Sequence, residues 1–186
     1  GTKQASRLWQ LKLREKLLSM GFSNSISDPC LFSKREGKSV MLLGVYVDDI
    51  VLAHKNANVD EFIKEFLGPS GFTGKHLGKL SWFLGMGIDQ HEDFSITIDQ
   101  KLYVQKLVEK FLVGKRHSKS TPCDPLKFQR LQPAQDDLER EKAKRLPYLQ
   151  LIGSLLYLST MTRPDIAYHM SVLCSYMHDP SVQAYE

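Results

Sequence analysis

The 186 residues predict an α+β fold: an antiparallel sheet with packed helices, followed by a mainly helical region. Three observations predict it. Short apolar runs crowd residues 30–54, β-branched from Val40 on. Helical apolar stripes stand on either side of them. After about residue 113 strand patterning stops and helical patterning continues.

The elements follow in order. Trp9, Leu13, Leu17 and Met20 recur at spacings of three and four, one stripe of a helix over 3–20 that Gly21 can stop. Residues 30–34 read as a short strand. Residues 40–47 and 50–54 read as two strands with only Asp48-Asp49 between them, the spacing of a two-residue hairpin. Neither run alternates cleanly, so both faces are expected to be covered. Asn58 caps a helix with the stripe Val59, Phe62, Ile63 and Phe66, closed by Gly68. Residues 81–88 read as one strand, with Trp82 and Phe83 in the core. Phe94, Ile96 and Ile98 alternate as on a half-buried strand. Asp99 caps a helix through Phe111, with Tyr103, Leu107, Val108 and Phe111 inward. Pro122, Pro125 and Pro133 mark 114–134 as a linker or long loop. Residues 135–146 are charged and helical. Pro147 and Pro164 each open a further helix, the last with Ile166, Met170, Leu173 and Met177 on one face. The organisation is then 1–113, 114–134 and 135–186.

Composition excludes several classes. A hydrophobic share of 42% and a charged share of 25% are those of a globular chain, not a disordered one. A net charge of +4 permits an anionic partner without demanding one. Lys3, Arg7, Lys12, Arg14 and Lys16 face Glu15 alone, so the excess sits on the first helix. Cys30, Cys123 and Cys174 lie far apart, which argues against a zinc site or a disulfide scaffold and for a reducing, intracellular setting. No run approaches the roughly 20 apolar residues of a membrane span, and no signal-peptide pattern opens the chain. It begins with Gly1 rather than Met, as a cut, processed or excised chain would.

Asp48-Asp49 is the sharpest chemical signal. Type I′ turns favour Asn-Gly or Asp-Gly, because both central residues need a positive φ. Paired carboxylates beside apolar strands repel each other and lose solvent. A divalent cation removes both penalties, and Mg²⁺ takes oxygen ligands of this kind. The plain alternative is a solvated acidic turn.

Five blocks in order carry a family resemblance. The first is Gly1-Thr2-Lys3-Gln4-Ala5-Ser6-Arg7-Leu8-Trp9. The second is Met20-Gly21-Phe22 with Asp28-Pro29-Cys30-Leu31-Phe32. Val45-Tyr46-Val47-Asp48-Asp49-Ile50 is the third. Leu77-Gly78-Lys79-Leu80 with Phe83-Leu84-Gly85 is the fourth. The last is Leu151-Ile152-Gly153-Ser154-Leu155-Leu156-Tyr157-Leu158 with Thr162-Arg163-Pro164-Asp165-Ile166. Together they resemble the reverse transcriptase of Ty1/copia-type retrotransposons. Thr2 and Ser6 stand where that family has Leu and Pro.

The resemblance implies a partial polymerase palm with a primer-grip region and the start of the thumb over 1–113, and a helical connection segment over 135–186. Asp48 and Asp49 would be catalytic acids and ligands of Mg²⁺ or Mn²⁺, in a two-metal nucleotidyl transfer with ions about 3.5–4 Å apart. Lys3, Gln4 and Arg7 would lie beside nucleotide and template, and Tyr46 beneath the primer–template. Gly85, Met86 and Gly87 would lie at the primer grip. Implied partners are an RNA or DNA template with its primer, a deoxynucleoside triphosphate, and the rest of a Pol polyprotein: fingers and palm upstream, RNase H downstream. The implied setting is a cytoplasmic particle or the nucleus, with no membrane.

The family's third acid lies on a strand upstream of the first block, so a chain starting at Gly1 is expected to be inactive alone. Two other readings stand beside the enzyme. One is a non-catalytic relic or co-opted module that binds nucleic acid through the first helix, with salt-sensitive affinity that survives loss of Asp48. The other is a protein-interaction module exposing that helix's apolar stripe.

Overall fold

The computed structural model describes residues 4–55, 57–69, 71–112, 120–124 and 128–185. The chain divides into two compact units, Gly1–Lys79 and Leu80–Glu186. Antiparallel strands and helices mix in an α+β fold.

In the first unit, helix α1 spans Ala5–Ser19. Its end is a Schellman closure: the amide of Gly21 bonds to Leu18 and that of Phe22 to Leu17, each at 3.0 Å. Gly21 makes this possible at φ +83, where a side chain would be strained. Strands β1 (Ser23–Asn24), β2 (Leu31–Glu36), β3 (Ser39–Tyr46) and β4 (Asp49–Lys55) form an antiparallel sheet in that order. Helix α2 covers Val59–Phe66, and Asn58 caps it by accepting the Glu61 amide at 3.2 Å.

Leu13, Leu17, Met20, Phe22, Phe32, Met41, Leu43 and Phe66 make the core. Burying a side chain such as Leu17 contributes about 1.5–3 kcal/mol. The α1 stripe is therefore covered within its own unit, with Trp9 packed at its edge. Leu8, Leu11 and Leu18 of the same helix stay exposed.

The other sheet face differs from expectation. The register aligns Leu31 with Gly44 and Val51, Ser33 with Leu42 and Ala53, and Tyr46 with Asp49. Leu42 is 53% exposed and Tyr46 55%. The missing polar alternation marks an open apolar face, not a second buried one.

In the second unit, β5 (Trp82–Phe83), β6 (Met86–Gln90) and β7 (Ile96–Asp99) form a second antiparallel sheet. The stretch expected as one strand is two, folded at Leu84-Gly85. Trp82 is exposed rather than core. Ile96 and Ile98 do sit on a strand, but they are exposed, and Phe94 leaves the pattern for a turn at φ +65. Helix α3 (Lys101–Phe111) opens with Asp99 Oδ1 accepting the Lys101 amide at 2.9 Å, and that bond, with the Lys101 side chain, holds the Asp99 carboxyl below its ordinary range.

Helices α4 (Asp137–Lys144), α5 (Tyr148–Met161), α6 (Ala167–Ser175) and α7 (Val182–Tyr185) complete this unit. Pro164–Ile166 forms a 3₁₀ turn ahead of α6, so Ile166 and Met177 fall outside the helix proper. Tyr148, Ile152 and Met170 centre the core. Of the segment expected as a linker, 114–119 and 125–127 lie outside the described residues. The three cysteines are unpaired. No described helix is long and apolar enough to cross a membrane.

Candidate active site

The acidic pair sits where β3 turns into β4. Tyr46 pairs with Asp49, so the two turn residues are Val47 and Asp48, one position earlier than the sequence suggests. Val47 has φ +57, the first central residue of a turn of II′ pattern. A β-branched residue there is a genuine outlier, costing on the order of 1–3 kcal/mol.

A contact from α1 holds it. The indole N–H of Trp9 donates to the Val47 carbonyl at 2.7 Å. Trp9 meets Phe72 edge-on at 4.9 Å between ring centroids. Phe72 contacts Phe66, Phe66 stacks on Phe62, and Phe62 meets Phe22. An aromatic chain thus joins the turn to the core.

Asp48 and Asp49 are both exposed. Solvent therefore screens their repulsion, and the desolvation expected from the sequence is absent. Their oxygens are hard donors suited to Mg²⁺ or Mn²⁺. Among the described residues no group of three or more His, Cys, Asp or Glu could hold a metal ion.

Tyr46 is exposed on the open sheet face beside Asp49. Gln4 precedes α1 and Arg7 lies in its first turn, both exposed. Arg7 stands about 200° around the helix from Trp9, so it does not share the face that touches the hairpin. Lys3 lies outside the described residues. Gly85, Met86 and Gly87 belong to the second unit. Leu84 and Gly85 form the β5–β6 turn at φ +50 and +79, a pattern of type I′, and Met86 and Gly87 begin β6.

Two residues that hold these turns went unread in the sequence. One is Trp9, assigned to the core stripe. The other is Tyr157 on α5, whose hydroxyl donates to the Leu84 carbonyl.

A small antiparallel sheet with helices on one face, an open opposite face and adjacent carboxylates at a pinned turn is a frame suited to metal-assisted chemistry on a large substrate. The family model for reverse transcriptase (RNA-dependent DNA polymerase) matches residues 1–125, and the chain belongs to that family. The retrovirus-related Pol polyprotein from transposon TNT 1-94 of Nicotiana tabacum is 30% identical over 100% of this chain and 14% of its own length. That from transposon RE1 of Arabidopsis thaliana is 32% identical over 97% of this chain and 12% of its own. A putative transposon Ty5-1 protein of Saccharomyces cerevisiae is 28% identical over 97% of this chain and 56% of its own length. The chain thus spans a small part of the polyproteins it matches. No solved structure matches it.

Proposed function

We propose that these residues form the catalytic hairpin, primer grip and following helical part of an RNA-directed DNA polymerase, working inside a longer Pol polyprotein. The observation that carries this reading is the Asp48-Asp49 pair, where a two-residue Val47-Asp48 turn pinned by Trp9 enters β4. A pinned turn suits chemistry, because a carboxylate displaced by about 1 Å can cost a hundredfold in rate.

Asp48 and Asp49 would hold Mg²⁺ or Mn²⁺, which when bound lowers the pKa of the primer 3′-hydroxyl and screens the triphosphate. The protein's own residues do the placing. Tyr46 offers an apolar ring to the primer–template on the sheet face that also carries Asp49. Gln4 and Arg7, with Lys3 before them, offer polar and cationic contacts to template and nucleotide. Gly85, Met86 and Gly87 bring backbone close to the primer end, which the two glycines permit. With two carboxylates at the hairpin, the chain alone is expected to extend a primer weakly or not at all.

Primer extension by the full Pol polyprotein carrying this chain, with Mg²⁺ or Mn²⁺, tests the proposal. Asp48→Asn should abolish extension while leaving the fold intact. Equal extension by Asp48→Asn and wild type would sink it.

The exposed cations of α1, Arg7, Lys12 and Arg14, favour a second reading: a module that binds nucleic acid without chemistry. That reading expects binding to survive Asp48→Asn and no extension from any form of the polyprotein.

A further inference from the structure

Two tight turns in this protein share an uncommon construction. Each places a large aliphatic residue at positive φ: Val47 at +57 and Leu84 at +50. Each has the carbonyl of that residue bound by an aromatic donor from a distant helix, Trp9 in one case and Tyr157 in the other. The third such residue, Phe94, is held differently. Its turn is tied locally by Asp93, which accepts the Ser95 amide at 2.9 Å, and Phe94 itself is 94% exposed.

Leu84 is a poor residue for the first position of a type I′ turn, where Asn or Asp is preferred. Something outside the turn must hold it. Tyr157 donates to its carbonyl, and Tyr103 on α3 sets Tyr157 in place. The Tyr103 and Tyr157 rings meet edge-on at 5.3 Å, and the Tyr103 hydroxyl donates to the Ser154 carbonyl at 3.1 Å. A Cβ added to Gly85 would lie 3.8 Å from the Tyr157 hydroxyl oxygen, so the helix approaches the turn closely.

The peptide unit is planar, so the Leu84 carbonyl and the Gly85 N–H point in opposite directions. Fixing the carbonyl toward α5 fixes the N–H away from it. We propose that Tyr157 is a positioning residue: by holding the Leu84 carbonyl it aims the Gly85 amide at a phosphate near the 3′ end of a bound nucleic-acid strand. This rests on the primer-grip reading of Gly85, Met86 and Gly87.

The test compares two duplexes of equal length, one with a recessed primer 3′ end and one blunt, by fluorescence anisotropy with the full polyprotein. Wild type should prefer the recessed end. Tyr157→Phe keeps the ring contact and removes the donor. It should lower that preference by about fivefold, with affinity for the blunt duplex nearly unchanged. A merely structural role would weaken both alike. Leu84→Asn makes the turn Asn-Gly, which favours this geometry unaided, so Leu84→Asn/Tyr157→Phe should restore the preference. A preference that survives Tyr157→Phe, or one lost and not restored by Leu84→Asn, overturns the inference alone. A wild type with no preference overturns the primer-grip reading and the inference with it.

Discussion

The Trp9 indole nitrogen lies 2.7 Å from the Val47 carbonyl oxygen and donates to it, across 38 residues of chain. That one bond fixes the plane of the peptide joining Val47 to Asp48. It therefore sets where the backbone enters the acidic pair. Trp9→Phe keeps the apolar contact with Phe72 and removes the donor. The expected result is a loss of about 1 kcal/mol in stability and a tenfold to hundredfold fall, in round terms about 10–100, in extension rate. Urea denaturation and single-turnover extension by the polyprotein measure the two. A rate equal to wild type would detach Trp9 from the site.

Val47 pays a conformational cost at φ +57 that glycine would not. Val47→Gly removes the strain of a β-branched side chain there, about 1–3 kcal/mol. It adds unfolded-chain entropy of about 0.4–1 kcal/mol in the opposite direction. Stability should therefore hold or rise slightly, while extension falls because the turn is freer to move. A denaturation midpoint well below wild type would show that Val47 is unstrained.

Tyr148 gives the second unit a pH dependence. It is 2% exposed, and its hydroxyl donates to the Leu173 carbonyl at 2.8 Å. Burial pushes its pKa up from 10.0 to about 12. The unfolded chain ionises first, so this stabilisation is full below pH 10 and drains away between pH 10 and about 12. The loss amounts to about 2–3 kcal/mol at most. Tyr148→Phe should be less stable at pH 8, by about 1 kcal/mol, and lose less between pH 10 and 12. Urea midpoints of both forms across that range decide it. Parallel curves would place the titration elsewhere.

The helices were the legible part, because their punctuation is local. Gly21 stops α1 through its backbone freedom, Asn58 caps α2 through its side-chain oxygen and Pro147 precedes α5 through its fixed φ. In the first sheet β3 and β4 were legible from β-branched runs and β2 as a short apolar run, while β1, two polar residues at Ser23–Asn24, was not. The turns were not. Asp48-Asp49 reads as a turn and Val47 as strand, yet the structure turns at Val47-Asp48. Leu84 hides a second turn inside an apolar run. In both cases donors far along the chain, Trp9 and Tyr157, outweigh local preference. Exposure was equally hidden. Ile96 and Ile98 alternate as a buried strand would, but periodicity does not say whether anything packs on that face. The acidic pair itself was readable from sequence, whereas the bond that holds it depends on tertiary structure.

Arg7 offers a test of how nucleic acid is held. It is exposed and stands away from the α1 face that Trp9 turns to the hairpin, so its substitution leaves the turn's support in place. If Arg7 contacts a phosphate, it releases a counterion on binding. Arg7→Gln should then reduce the slope of log affinity against log salt by about 0.7–0.9, the value for one phosphate contact. The loss should be nearly uniform across primer–template sequences, because a phosphate contact carries no base information. Anisotropy titrations of the polyprotein at several salt concentrations measure the slope. An unchanged slope with unchanged affinity would make Arg7 part of a solvated helix face. An unchanged slope with affinity lost for only some sequences would move its contact from phosphate to base.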